Sequence, residues 1–163
     1  MSADDKVARG RYLTGIIGCN DCHTPGAFYG APDTTRVLAG SEVGWQGPWG
    51  VSFARNLSSD TETGLGSWTE AQIVTAIREG RRPDGSPLLP PMPWPTFAQM
   101  TDEDAQAIAA YIKTLPAVRH MNPKQVPPGV KYTGGALTFP PPPAWDAMNL
   151  PQPGAAPADS TKK

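Results

Sequence analysis

Apolar positions recur at helical spacing in three stretches of this 163-residue chain. In the first, Val7, Gly10, Leu13 or Thr14, and Ile17 share a face. Asp4 and Asp5 suit a helix N-terminus, and the pattern predicts a helix from about Ala3 to Gly18. Gly10 in mid-helix costs about 1 kcal/mol relative to alanine. We read it as a point where another helix approaches closely, an incidental glycine being the alternative. In the second stretch Ser67-Trp68-Thr69-Glu70 reads as a capping box, Ile73, Val74 and Ile77 form the apolar face, and Gly80 is the stop after Arg78 and Glu79. The third begins at Thr101, carries Asp102, Glu103 and Asp104 in its first turn, places Ala105, Ile108, Ile112 and Leu115 on one stripe, and ends at Pro116.

The intervening segments have no sustained period. Thr24 to Ser67 is rich in Gly, Pro, Ser, Thr and Asp and predicts a long wrapping loop with, at most, short strands or turns. Loops of that length are usually functional or supported by a ligand. Arg81 to Gln99 holds six prolines, which predicts no regular structure there. Residues 117–163 hold ten prolines, including the run Pro140-Pro141-Pro142-Pro143. Between 117 and 150, Val126, Val130, Tyr132, Leu137, Phe139, Trp145 and Leu150 are too apolar for a free linker and predict an extended strap laid on the surface. From Pro151 onward the composition is that of a disordered tail.

Composition agrees with a loop-rich molecule. Hydrophobic residues make up 39%, and there are 17 glycines and 20 prolines, so the side chains alone build only a modest core. The net charge of −1 gives no basic field for nucleic acid and no acidic tail. No apolar run is long enough to span a membrane, and the first residues lack the basic and apolar regions of a signal peptide.

The candidate chemistry lies in Cys19-Asn20-Asp21-Cys22-His23, which uses both cysteines of the chain and one of its two histidines. C-x-x-C-H is the attachment site of a c-type haem, with two thiols for thioether bonds and a histidine for the iron. Three rival readings are weaker. A disulfide between these positions closes too small a loop to staple a domain. A thioredoxin-type pair needs a strand before it, where this chain has a helical pattern. A zinc site would have to recruit the distant His120. A haem would supply the apolar surface the composition lacks. Covalent attachment of this kind takes place, in bacteria, outside the inner membrane. The expectation is therefore a periplasmic, mature chain, its export signal or anchor removed and an initiator methionine in its place.

The sixth coordination position decides between electron transfer and ligand chemistry. Met92, Met100, Met121, Met148 and His120 are the candidates, Met1 being terminal. Met92 is preferred because Pro90, Pro91 and Pro93 stiffen the backbone that presents it. Met100 has another role open to it, as a hydrophobic staple onto Ala105. Met121, His120 and Met148 lie in the strap.

Taken together, Cys19 to His23, Asn56-Leu57, Thr63-Gly64-Leu65-Gly66-Ser67-Trp68, Asp84-Gly85, Pro91-Met92-Pro93 and Asp102-Glu103-Asp104 through Tyr111-Ile112 to Leu115-Pro116 resemble a class I bacterial cytochrome c. The resemblance covers about residues 4–118 and is to the haem domains in cytochrome subunits of periplasmic alcohol, aldehyde and sugar-acid dehydrogenases. It implies an all-α cytochrome c fold, with three or more helices around the haem and the first and last crossing near Gly10 and Tyr111. Cys19 and Cys22 would be the thioether donors, and His23 and Met92 the axial ligands. Asn56 and Trp68 would lie near the haem edge, bonding a propionate or loop backbone, with core packing the alternative for Trp68. The expected organisation is a monohaem domain over 1–118, a strap over 119–150 and a tail over 151–163. One motif implies one haem c and no multi-haem relay within these residues. The implied function is one-electron transfer, without substrate chemistry, from an extracytoplasmic dehydrogenase to a downstream cytochrome or oxidase. The rival is a ligand-binding or peroxidase-like haem protein with an open or labile sixth site, for which His120 is the one spare distal histidine. A docking module built on the strap is a third reading.

Overall fold

The three periodic stretches are helices in a computed structural model whose described residues are 1–140. Helix α1 (Ala3–Ile16) opens on Ser2, whose hydroxyl accepts from the Asp5 N–H (3.1 Å) while the Asp5 carboxylate accepts from the Ser2 N–H. It ends before Gly18, whose φ of 76° turns the chain. Helix α2 (Cys19–His23) follows at once. Helix α3 (Glu70–Glu79) is capped by Thr69 and Gln72, two residues later than Ser67 and Glu70 predict. The Lys113 ammonium explains the shift: it binds the carbonyls of Gly66 and Trp68, each at 2.8 Å, and so holds the preceding turn outside the helix. Helix α4 (Trp94–Phe97) lies inside the proline-rich stretch expected to be irregular. Pro95 is tolerated there because the first turn of a helix needs no N–H from it. Helix α5 (Asp102–Thr114) starts at Thr101, whose hydroxyl accepts from Asp104 N–H.

Gly10 is the contact point of α1 and α5. A Cβ there would sit 1.9 Å from the Ala107 carbonyl oxygen and 2.8 Å from the Tyr111 Cβ, so only glycine allows this crossing. Leu13, Ile73, Ile77, Phe97, Ile108 and Ile112 form the buried core between α1, α3, α4 and α5.

The all-α expectation needs correction, because a small sheet is added to the helices. Strands β1 (Gly44–Gly47) and β2 (Gly50–Phe53) form an antiparallel hairpin, and β3 (Ala136–Thr138) joins β1 in parallel, giving the order β2-β1-β3. Gly44 pairs with both Phe53 and Ala136. Strands of three or four residues are too short to register as a period, and the β1–β3 pairing spans about ninety residues of chain.

The segment 117–140 packs on the domain. Val126 exchanges two 2.9 Å backbone hydrogen bonds with Val51, and Phe139 N–H donates to the Gln46 carbonyl. Phe139 also lies against Trp45 and Trp49, and Tyr132 against Phe53. The remainder of the expected strap, with Trp145, Met148 and Leu150, and the expected tail lie outside the described residues. Among the described residues no helix is long and apolar enough to cross a membrane.

Candidate haem-attachment site

Gly18 separates α1 from α2, so Cys19, Cys22 and His23 lie on one short helical turn. Both cysteines are free and partly buried. Burial pushes the Cys19 thiol up to about 11, with the nearby Cys22 adding to it. Burial and then Asp21 raise Cys22 as well. Two thiols held protonated at neutral pH lack the low-pKa thiolate of a thioredoxin-type pair.

The motif is locked to the following loop. His23 carbonyl accepts from Gly40 N–H at 2.7 Å, and the Thr24 hydroxyl donates to the Asn20 side chain while accepting from Leu38 N–H. Leu38, fully buried, has φ 56°, a left-handed conformation costing on the order of 1 kcal/mol that its neighbours hold in place. Leu57 N–H closes this region by donating to the Leu38 carbonyl at 2.8 Å.

The His23 ring is oriented by the backbone. Its Nδ1 lies 2.7 Å from the Arg55 carbonyl, an acceptor, so Nδ1 carries the proton and Nε2 keeps a free lone pair. Burial lowers the imidazole pKa, against the opposing effect of that bond, and favours the neutral form a metal requires. A neutral imidazole with a free Nε2, directly after two thiols on one turn, fits covalent haem with a histidine ligand.

Met92 is partly buried and packs against the core. Its loop is tied down on both sides: the Ser52 hydroxyl on β2 donates to the Pro90 carbonyl (2.5 Å), and Trp94 N–H donates to the Met92 carbonyl (2.9 Å). The other candidates are placed differently. Met100 also packs on the core, Met121 is 73% exposed, and Met148 lies outside the described residues. His120 has both ring nitrogens engaged, Nδ1 with the Ala39 carbonyl (2.6 Å) and Nε2 with Glu42 (2.8 Å). Among the described residues no three His, Cys, Asp or Glu side chains form a metal-binding group.

Asn56 is buried and its polar atoms are spent on loop and strap. Its Nδ2 donates to Thr63 Oγ1 (3.1 Å) and the Val118 carbonyl (2.8 Å), its Oδ1 accepts from Ser58 N–H, and its N–H donates to Asn122 Oδ1 (2.6 Å). Trp68 packs partly buried against the core. Asn122, Ser58 and Lys113 are polar residues that sequence reasoning missed, since their partners lie more than forty positions away.

Residues 7–116 match the family model of cytochrome c. Over 105 residues the chain is 38% identical to the cytochrome c subunit of a quinone alcohol dehydrogenase from Gluconacetobacter polyoxogenes, covering 64% of this chain and 21% of that protein. It is 34% identical over 108 residues to the cytochrome subunit of a fructose dehydrogenase from Gluconobacter japonicus (66% and 21%). It is 33% identical over 108 residues to the cytochrome c subunit of a gluconate 2-dehydrogenase from Pantoea cypripedii (66% and 23%). The chain thus spans about a fifth of the length of these curated relatives. Each of the three is named as a cytochrome subunit of its dehydrogenase. With its C-x-x-C-H turn and a match over two thirds of its length, this chain belongs to the cytochrome c family, electron-transfer proteins with covalently bound haem c.

Proposed function

We propose that this chain carries a single haem c and acts as a one-electron carrier in the periplasm, between a dehydrogenase and a downstream cytochrome or oxidase. It is a redox partner or subunit and not itself an enzyme. Cys19 and Cys22 form the thioethers, and His23 and Met92 are the axial ligands. Residues 1–118 are the haem-bearing domain and 119–150 a strap upon it. When bound, haem c supplies a one-electron ferric/ferrous couple.

The observation that carries this reading is the His23 Nδ1 contact with the Arg55 carbonyl, which leaves Nε2 as the free ligand atom of the motif. Ser52 and the flanking prolines restrain the Met92 loop, so little ordering entropy opposes a weak thioether ligand. Restraint at both ligands suits electron exchange, which is fastest when little rearranges. His120, the spare histidine on which the peroxidase-like alternative would draw, has its ring held by the Ala39 carbonyl and Glu42.

Met92→Ala is the test. The variant keeps its covalent haem, loses the weak red charge-transfer band of methionine-ligated ferric haem, and binds carbon monoxide readily when reduced. Retention of that band overturns Met92 as the ligand.

A further inference from the structure

The Arg55 carbonyl and the Asn56 N–H belong to one peptide group. In a trans peptide the two point in opposite directions, and here both are taken. His23 Nδ1 donates to the carbonyl oxygen at 2.7 Å, and the N–H donates to Asn122 Oδ1 at 2.6 Å. The peptide plane is gripped from two edges, by the histidine of the C-x-x-C-H turn and by a side chain beyond the residues that match cytochrome c.

Asn122 is buried, and its neighbours in the chain are tied down. His120 N–H donates to Thr63 Oγ1 (3.0 Å), and the Pro123 carbonyl accepts from Arg55 Nη1 (3.3 Å). The Asn122 amide also lies against Gly40, where a Cβ would sit 2.2 Å from its Nδ2. Gly40 N–H donates to the His23 carbonyl at 2.7 Å. One side chain therefore meets both segments that hold His23, the one bonded to its ring and the one bonded to its main chain. Asn122 Nδ2 has no partner among the described residues. An apolar residue would fill this space without burying an unpaired donor, so packing alone does not account for an amide here. The acceptor Oδ1 does.

Two effects follow from that acceptor. Asn56 is buried, so without Oδ1 its N–H has no water to turn to. Rotation of the peptide plane towards another acceptor would carry the Arg55 carbonyl off His23. Donation by the N–H also polarises the peptide, which makes the carbonyl a stronger acceptor for the imidazole.

We propose that Asn122 is a positioning residue for His23: by accepting from the Asn56 N–H it fixes and polarises the peptide whose carbonyl orients the imidazole. This rests on the haem reading above. It gives the start of the strap a part in tuning the iron ligand, through a single peptide.

The test uses holo wild type, Asn122→Leu, which removes the acceptor, and Asn122→Asp, which keeps it. Val126→Pro is the control, since it removes the strap's N–H bond to the Val51 carbonyl and leaves Asn122 intact. Haem content is measured first, by the pyridine haemochrome; a wild type without covalent haem refutes the functional reading, independently of Asn122. In reduced, isotope-labelled wild type, magnetic resonance should show coupling across the hydrogen bond from the Asn56 nitrogen to the Asn122 side-chain carbonyl carbon. Its absence overturns the proposal without any variant. In Asn122→Leu the His23 Nδ1 proton exchanges faster with solvent. A less strongly bonded imidazole is a weaker donor to iron, so the ferrous-to-ferric ratio at fixed ambient potential rises about threefold, the scale of a fractional weakening of one hydrogen bond. Asn122→Asp slows the exchange again and returns the ratio to the wild-type value or below it. If Asn122→Leu leaves the proton and the ratio unchanged, or Val126→Pro moves them as far, Asn122 merely anchors the strap and the proposal fails. Should Asn122→Leu not fold, the wild-type coupling and Asn122→Asp decide.

Discussion

Around Gly10 the chain closes backbone against side chain and backbone, with apolar residues on both flanks. Around Asn56 it closes through polar atoms, with Thr63, Val118 and Asn122 each accepting a hydrogen bond from it and Ser58 N–H donating one to it. The first closure depends on shape, and any group that enlarges it is excluded. The second depends on pairing, and any group that leaves a partner unsatisfied weakens it. The helical crossing therefore sets the frame, while the polar closure decides which distant segments meet: the 56–63 loop and the start of the strap.

Gly10→Val should separate these two closures most sharply. Its side chain would overlap the Ala107 carbonyl, and a loss of more than about 4 kcal/mol is expected, read by chemical denaturation of the holo protein. Asn56→Ala should cost about 3 kcal/mol, because the fully buried Ser58 N–H loses its acceptor and the Val118 carbonyl loses one of its donors. Faster proteolysis within 117–140 should accompany that loss. If instead Asn56→Ala matches Gly10→Val, the polar closure is part of the frame.

The sequence disclosed the first closure more readily than the second. Helical periodicity marked α1, α3 and α5, and a glycine on a helix face pointed to the crossing, since these signals are local. The α3 cap was displaced because Ser67-x-x-Glu70 and Thr69-x-x-Gln72 both satisfy the same pattern, and Lys113, far away in the chain, selects between them. Thr24 to Ser67 left room for short strands, but their assembly into a sheet is not legible locally, because β3 finds β1 only after the chain has wrapped the domain. Asn122, the polar partner of Asn56, stands in a stretch with no period to mark it. Cys19, Cys22 and His23 were evident as a motif, yet the acceptor that orients His23 is a peptide carbonyl, which no side-chain pattern reveals.

Thr69→Ala tests the cap selected by Lys113 and should cost about 1 kcal/mol, seen as fraying of the first turn of α3 in amide exchange. A negligible cost would show that Ser67 can replace it.

The smallest effect is expected at the exposed edge of the strap, where Arg36 links Asp33 and Glu42, and Glu42 meets His120. Asp33 is held at about 2, below its ordinary 3.8, by the Thr35 hydroxyl and then by Arg36. A lowered carboxyl contributes fully above the unfolded value and loses its contribution as pH falls through the folded one. Acidification from about pH 4 towards 2 should therefore loosen the Arg36 cluster, visible in the His120 chemical shifts, with little change in global stability. Simultaneous loss of helical signal would erase the distinction between the two closures.

The bond from His23 Nδ1 to the Arg55 carbonyl has an evolutionary consequence. Because the acceptor belongs to the main chain, no exchange of side chain at residue 55 deletes it unless the backbone itself moves. Mutation can alter the charge at that position while the imidazole keeps its tautomer and orientation. Ring geometry and local field are thus separately heritable at a single residue, and descendants of this chain can drift in one without forfeiting the other.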